Sequence, residues 1–441
     1  MKYKSIYIAM LLLVTATTIA QKRPNIVLIM ADDMGYECIG ANGSTTYKTP
    51  NIDRIAAAGV RFDNCYSQPL CTPSRVKIMT GKSNFRNYEA FEYLNPNQVT
   101  FGNLLKDAGY ATCIAGKWQL NGNKGDMPGN QDLNRPNHFG FGEYCLWQVN
   151  KGKSEGERFW NPLIVQNGKE LPRDANAYGP DIFSNYIMDF IDRKADVPFL
   201  VYYPMALVHE PFMPTPDSPE SKDPKLRNKR DPIYYKDMVA YTDKIVGKIQ
   251  AKLKEKGLLE NTLFIFTADN GSPGNIVSAT DLGKIKGGKG KTIIHGNHVP
   301  FVASWPARME AKRTEKGLIS FADVLPSLCD AADVKANKFQ SDGFSFLPLI
   351  TNKDKKIQDE VFIHYTPRMN KLSQTRWVLN DTYKLYKDGR FFNTAKDPLE
   401  KEELKILSAK EEEIKAGFQK VLDKREKEIP FELNNTEFKV K

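Results

Sequence analysis

The residues Asn25-Ile26-Val27-Leu28-Ile29-Met30-Ala31 form a continuous apolar run that breaks abruptly into Asp32-Asp33. A strand that is apolar on both faces belongs in the middle of a parallel sheet covered by helices. The runs Phe199-Leu200-Val201-Tyr202-Tyr203 and Leu263-Phe264-Ile265-Phe266 repeat the pattern, the second leading into Asp269-Asn270, and residues 111–115 give a weaker version. Between these runs, the spacing predicts helices over 51–58, 101–106, 181–192 and 234–256. In the last of them Met238, Tyr241, Ile245, Ile249 and Leu253 recur along one helical face. Strands alternating with helices in this way predict an α/β fold with a large, mostly parallel central sheet flanked by helices.

Working outward, the first twenty residues are set apart. Lys2 and Lys4 precede an apolar stretch over 6–14, and Thr18-Ile19-Ala20 offers small residues for cleavage before Gln21. This pattern predicts a signal peptide over 1–20 and an exported mature chain, periplasmic or secreted. No later segment has the 18 or more uncharged apolar residues of a membrane span. The stretches 121–180, rich in Gly, Asn and Pro, and 211–232, rich in Pro and charge, are expected as long loops. The main domain is expected over 21–345. Beyond it, short β-like runs such as Val361-Phe362-Ile363 and Trp377-Val378-Leu379, with a capping box at Ser408 and Glu411 ahead of a helix, predict a small antiparallel α+β subdomain over 346–441.

At 41% hydrophobic and 26% charged residues, the composition disfavours disorder, collagen and a polytopic membrane protein. Its formal charge of +10 favours anionic partners without naming one. Nothing in it resembles a nucleic-acid-binding module. Six cysteines in an exported chain permit a bridge; if Cys71 is committed elsewhere, the remaining five leave at least one free thiol.

In an open parallel sheet, ligands bind at the carboxyl ends of the strands. Asp32-Asp33 and Asp269-Asn270 both occupy that edge. Three carboxylates and an amide carbonyl are oxygen donors suited to a hard cation such as Ca²⁺ or Mg²⁺ rather than zinc, although either pair alone is equally a turn or a helix cap. The segment Cys71-Thr72-Pro73-Ser74-Arg75 places a proline suited to the first turn of a helix, with Cys71 at its amino end, where free N–H groups favour an anion. Read alone, Cys71 is also compatible with a half-buried structural cysteine.

This Cys-x-Pro-x-Arg segment, with Thr80-Gly81 after it, resembles that of the formylglycine-dependent sulfatases of the alkaline phosphatase superfamily, and the resemblance runs along nearly the whole mature chain. It implies that Cys71 is oxidised by a separate maturation enzyme to formylglycine, whose hydrated aldehyde is the nucleophile, and that Arg75 holds that group. The stretch Gly109 to Trp118 matches a second signature, with Lys117 at the sulfate-binding lysine. Lys289, in Gly287-Gly288-Lys289-Gly290, looks like a second sulfate-contacting lysine, and His209 looks like the histidine facing the leaving group. Asp32, Asp33, Asp269 and Asn270, together with position 71, match the ligands of a Ca²⁺ ion.

Two departures stand out. Gln119 replaces the histidine that usually follows Lys-Trp, and an amide cannot accept a proton near neutral pH. His295-Gly296-Asn297-His298 replaces a stretch that usually carries an acid and an arginine, so His295 and His298 are candidates to meet substrate or to serve the fold. Gln119 is likewise a candidate substrate contact, and His138, Trp147 and Trp160 in the 121–180 stretch are candidates to stack on a sugar. The resemblance implies hydrolysis of a sulfate ester, with export and a basic mature chain favouring a sulfated carbohydrate. The alternatives are a phosphoester or phosphonate hydrolase of the same superfamily, and a non-catalytic protein that binds sulfated glycans on a degenerate sulfatase fold.

Overall fold

The computed structural model describes residues 23–123, 127–149, 158–351, 356–368 and 372–431. The expected signal peptide lies outside the described residues. The strands of the first half are Asn25–Ala31 (β1), Val60–Tyr66 (β2), Ala111–Lys117 (β3), Glu143–Trp147 (β4), Ile164–Gln166 (β5), Lys169–Glu170 (β6), Phe199–Pro204 (β7) and Thr262–Ala268 (β8). After them come a hairpin of Val277–Thr280 (β9) and Gly283–Lys286 (β10), then Phe301–Ser304 (β11) and Arg313–Ser320 (β12). Ten of these form one sheet in the order β12-β2-β11-β8-β1-β7-β3-β4-β5-β6, and the hairpin stands apart. The β8-β1-β7-β3-β4 block is parallel throughout, while β11 runs antiparallel to both of its neighbours.

The decisive apolar run is β1, at the centre, with all seven residues buried. It pairs with β8 in a register that sets Ala31 opposite Ala268. Both strands therefore end at the same level, and Asp32-Asp33 and Asp269-Asn270 emerge side by side. The four predicted helices are Pro50–Ala58, Phe101–Asp107, Gly179–Arg193 and Tyr235–Glu255. Pro50 and Pro180 sit in the first turns, where their missing N–H groups cost nothing. A Thr100–Asn103 capping box starts the helix Phe101–Asp107, which precedes β3.

One expectation is corrected. The 121–180 stretch is not a single long loop, because β4, β5 and β6 extend the sheet by three strands. Its Gly and Asn content hid the run Tyr144-Cys145-Leu146-Trp147, which is wholly buried in β4. All six cysteines are unpaired, buried thiols. No described helix is long and apolar enough to cross a membrane.

Val361–Tyr365 (β13), Thr375–Leu379 (β14), Tyr383–Tyr386 (β15) and Phe391–Asn393 (β16) form the small antiparallel sheet, covered by the helix Ala409–Glu428. The Ser408–Glu411 capping box is formed as the spacing predicts. Phe346, Leu347, Leu349 and Ile350 still pack in the large core. The small sheet packs through Ile363, Tyr365 and Trp377 against Leu70 and Ile294, next to the candidate site.

Gly116 shows how tightly the sheet sets the site. Its φ is +119°, and a Cβ there would meet the backbone oxygen of Pro204 on the adjacent strand. The next residue is Lys117. We expect Gly116→Ala to lower stability by about 1–3 kcal/mol or more and to impair activity beyond that loss, read by denaturant melts alongside turnover of the folded fraction.

Candidate active site

The helix Cys71–Thr80 begins immediately after extended Leu70 and is buried at every residue, ending at Gly81 in the left-handed region. Cys71 and Arg75 stand four residues apart, on one face of that helix. From there Arg75 donates to Asp269 Oδ2 at 3.0 Å and to the carbonyl of Lys117 at 3.1 Å, so one guanidinium ties the helix to the ends of β8 and β3. Lys117 Nζ lies 2.7 Å from Asp32 Oδ2. Lys289 Nζ lies 2.5 Å from Asp33 Oδ2 and 3.0 Å from His209 Nε2. His209 is carried in by the segment after β7, which continues the sheet pairing with Asp32 in both directions at 2.7 Å.

Asp32, Asp33 and Asp269 have no exposed surface, and burial without a partner would drive such carboxyls to the neutral form. At Asp32, burial pushes the pKa up, but Lys117, His209, Arg75 and Lys289 outweigh it and hold the carboxyl well below its usual range. Burial and the adjacent Asp32 charge push Asp269 up. The two share the same cations, so Asp32 ionises first, and a bound divalent cation would hold both ionised. Burial likewise pushes the Cys71 thiol up, Lys117 opposes it, and Asp32 and Asp269 add to it.

The donor set fits a hard cation. Asp32 Oδ1 and Asn270 Oδ1 are buried oxygens with no hydrogen-bond partner, whereas Asp32 Oδ2 and Asp33 Oδ2 are taken by lysines. Asp33 Oδ1 accepts from Asn270 Nδ2 at 2.8 Å, which fixes the amide with its carbonyl turned away. Asp32 and Asp33 can also bring oxygens within 4.8 Å of a His209 nitrogen. Because His209 also meets Lys289, oxygen donors from the two strand ends are the better cation ligands.

Cys71 lines a cleft of about 770 Å³ with Gln119, His209 and Lys289, and Phe91, Arg158, Phe212, Arg230 and Asn275 form its walls. The 211–232 stretch thus supplies part of the cleft as a loop. The structure places the remaining sequence candidates elsewhere. Trp147 and Trp160 are buried, with Arg158 stacked on the first ring and Arg227 on the second, and Trp160 Nε1 donates to the carbonyl of Pro214. Neither offers a free face to a sugar. His138 is exposed and away from the cleft, bonded to the carbonyl of Pro96 at 2.7 Å. His295 bonds the carbonyl of Lys286, and His298 bonds that of Asp63 while stacking on Tyr36; both serve the fold. Sequence reasoning missed Arg158, whose guanidinium reaches 4.0 Å from Asp32 Oδ2, and Glu92, which accepts from Gln119 at 2.8 Å.

The sulfatase family profile matches residues 24–334. The chain belongs to the sulfatase family. A second profile, described as N-sulphoglucosamine sulphohydrolase, C-terminal, matches residues 293–428. Human arylsulfatase A is 31% identical over 385 residues, covering 80% of this chain and 73% of the relative. Human N-acetylgalactosamine-6-sulfatase is 30% identical over 380 residues, covering 78% of this chain and 69% of the relative. A protein solved in complex with its substrate D-glucosamine-2-N,6-O-disulfate superposes with a TM-score of 0.73 at 21% identity, over 95% of this chain and all of that one. This sulfatase is therefore a sulfuric ester hydrolase, with the α/β fold expected from its strands and the alkaline phosphatase-like architecture that the resemblance implies.

A stability prediction follows from His298. Its burial lowers the imidazole pKa to about 4 from 6.5. The unfolded chain binds the proton first, so this contribution to stability is complete above pH 6.5 and is lost as pH falls toward 4. Urea midpoints measured at pH 7 and pH 5 are expected to fall less in His298→Phe than in the wild type.

Proposed function

We propose that this chain is an exported sulfatase that releases sulfate from a carbohydrate monoester, using formylglycine made from Cys71 and a Ca²⁺ held by Asp32, Asp33, Asp269 and Asn270. One observation carries the reading: Cys71 lies on the floor of a cleft where two acidic strand ends meet Arg75, Lys117 and Lys289. Export rests on the basic and apolar residues of 1–20. The carbohydrate assignment rests on the polar groups of the cleft wall and on the disulfated sugar bound by the structural neighbour. Because every residue of the Cys71–Thr80 helix is buried, the separate maturation enzyme would have to act before this helix packs.

Asp32, Asp33, Asp269 and Asn270 would hold the Ca²⁺, which would supply neutralising charge for sulfate oxygens, and formylglycine at position 71 would supply, as its hydrate, a hydroxyl nucleophile. The chain's own residues do the rest. Lys117 and Lys289 neutralise the remaining negative charge in a site already built for it, so little reorganisation accompanies the reaction. Arg75, fixed by Asp269 and by the Lys117 carbonyl, holds position 71.

His209 has a defined tautomer. Its Nδ1 lies 2.6 Å from the carbonyl of Glu210. A carbonyl only accepts, so Nδ1 carries the hydrogen and Nε2 presents its lone pair to Lys289. Burial and the Arg158 charge hold the imidazole pKa down to about 3. His209 therefore passes a proton to the departing oxygen only after receiving one, and the ammonium in contact with it is Lys289.

The assay is sulfate release from a panel of sulfated oligosaccharides and their phosphate counterparts, using protein whose Cys71 peptide is shown by mass to be matured. Sulfate release is the expected result. Preference for the phosphate esters by orders of magnitude, or tight glycan binding without release, would overturn the reading. Chelation is expected to abolish turnover and lower the melting temperature, with Ca²⁺ restoring both. His209→Ala is expected to cost about 10²–10⁴-fold on sugar sulfates and far less on an aryl sulfate, whose leaving group needs no proton.

A further inference from the structure

Three residues with left-handed backbones converge beside Cys71. They are Glu92 at φ +63°, Gln119 at +52° and Gln148 at +61°. None is glycine, and such conformations persist only where the surroundings enforce them. All three are buried, at 1%, 7% and 3% exposure. Gln119 Nε2 donates to Glu92 Oε1 at 2.8 Å, and Gln148 Nε2 approaches the same oxygen at 3.4 Å. The backbone N–H of Glu92 donates to Thr72 Oγ1 at 3.2 Å, which ties the carboxylate to the first turn of the Cys71 helix.

Because the Gln119 nitrogen donates to Glu92, the pairing selects one of the two orientations of the amide: nitrogen toward Glu92, carbonyl oxygen away from it. That oxygen, Oε1, lies 3.7 Å from Cys71 Sγ. With an amide in place of the carboxylate, either orientation finds a partner at position 92, and Gln119 is free to turn its NH₂ toward position 71.

We propose that Glu92 is a positioning residue that acts through Gln119, holding an acceptor oxygen against the nucleophile position. A hydroxyl at position 71 would donate to that oxygen, which orients its lone pairs toward the bound ester. The inference rests on the sulfatase reading only for its effect on turnover. The orientation of the amide can be read without it.

The test compares Glu92→Gln in the wild-type and Gln119→Ala backgrounds. In matured enzyme of verified formylglycine content, Glu92→Gln is expected to lower kcat about tenfold at unchanged KM. It is expected to add little once Gln119 is already Ala, because residues that act as a unit are not additive. In unmatured protein, the second readout is the rate of Cys71 alkylation by iodoacetamide at fixed pH. A carbonyl oxygen against sulfur favours the thiol, whereas an NH₂ group favours the thiolate. Alkylation should therefore accelerate in Glu92→Gln, and by more than in the Gln119→Ala background. Loss of the carboxylate charge acts in both backgrounds, so the difference between them isolates the orientation.

Equal losses of kcat in both backgrounds, or a lowered melting temperature with kcat unchanged, would overturn the proposal. If Glu92→Gln does not fold, Glu92→Asp, which draws the carboxylate back by one methylene, is read against the same outcomes. The expected alkylation pattern in unmatured protein, together with matured enzyme that releases no sulfate, would sustain the amide orientation and defeat the sulfatase reading alone.

Discussion

Three carboxylates sealed from water at the tips of two neighbouring strands require positive charge to reach them, and much of this structure answers that requirement. A lone ionised carboxylate in a protein interior is costly, and the cost falls only when the counter-charge is held in good geometry. Here the counter-charges come from four directions. Arg75 arrives on a buried helix, Lys117 on the end of β3, Lys289 on the turn after the β9–β10 hairpin and Arg158 from the stretch before β5. Each attachment fixes a different chain segment around one point. The cleft is thus a by-product of solving an electrostatic problem, and it presents an excess of positive charge once the carboxylates are engaged.

The in-register pairing of β1 with β8 is what makes the problem so concentrated. A shift of one residue would turn every side chain of the strand to the other face and would separate the two acidic tips. The helix bearing Cys71 adds a second constraint. With no residue exposed, it cannot adjust toward solvent, so the spacing from Cys71 to Arg75 is transmitted rigidly to the strand ends. The lysines leave Asp32 Oδ1 unsatisfied, and Asn270 adds a second buried oxygen without a hydrogen-bond partner, which is the kind of donor a hard cation completes.

How much of this was legible in the sequence depended on the range of the interaction. The apolar runs of β1, β7 and β8 carried their own signal, because a strand buried on both faces has no polar alternation to obscure it. The helix termini were readable from Pro50, Pro180 and the Ser408–Glu411 box, all local chemistry. The short motif around Cys71 gave the helix start and its anion-facing end. In contrast, β4 was masked by the Gly and Asn residues around it, and Trp147 and Trp160 read as loop aromatics, although β4 buries the first and Tyr178, Arg227 and Pro214 enclose the second. Glu92 and Arg158 had no local signature at all. Their significance comes from Gln119, 27 positions away from one, and from Asp32, far upstream of the other. Contacts at such separations are set by topology, and spacing rules do not see them. His295 and His298 illustrate the converse: a suggestive cluster whose nitrogens are spent on backbone carbonyls.

The small antiparallel sheet, which packs next to the site, also grips one of its turns. Lys384 and Tyr386, both on β15, bond the carbonyl of Thr292, three residues beyond Lys289, and Tyr365 bonds that of Gly290. Since Lys384 stands 92 positions after Thr292, the grip on the lysine turn is supplied by a part of the chain synthesised long after the turn itself. A polypeptide interrupted ahead of β15 would retain both acidic tips and the helix of Cys71 while leaving one wall of the cleft unbraced. The brace on this turn is therefore a contact that arrives only near the end of translation.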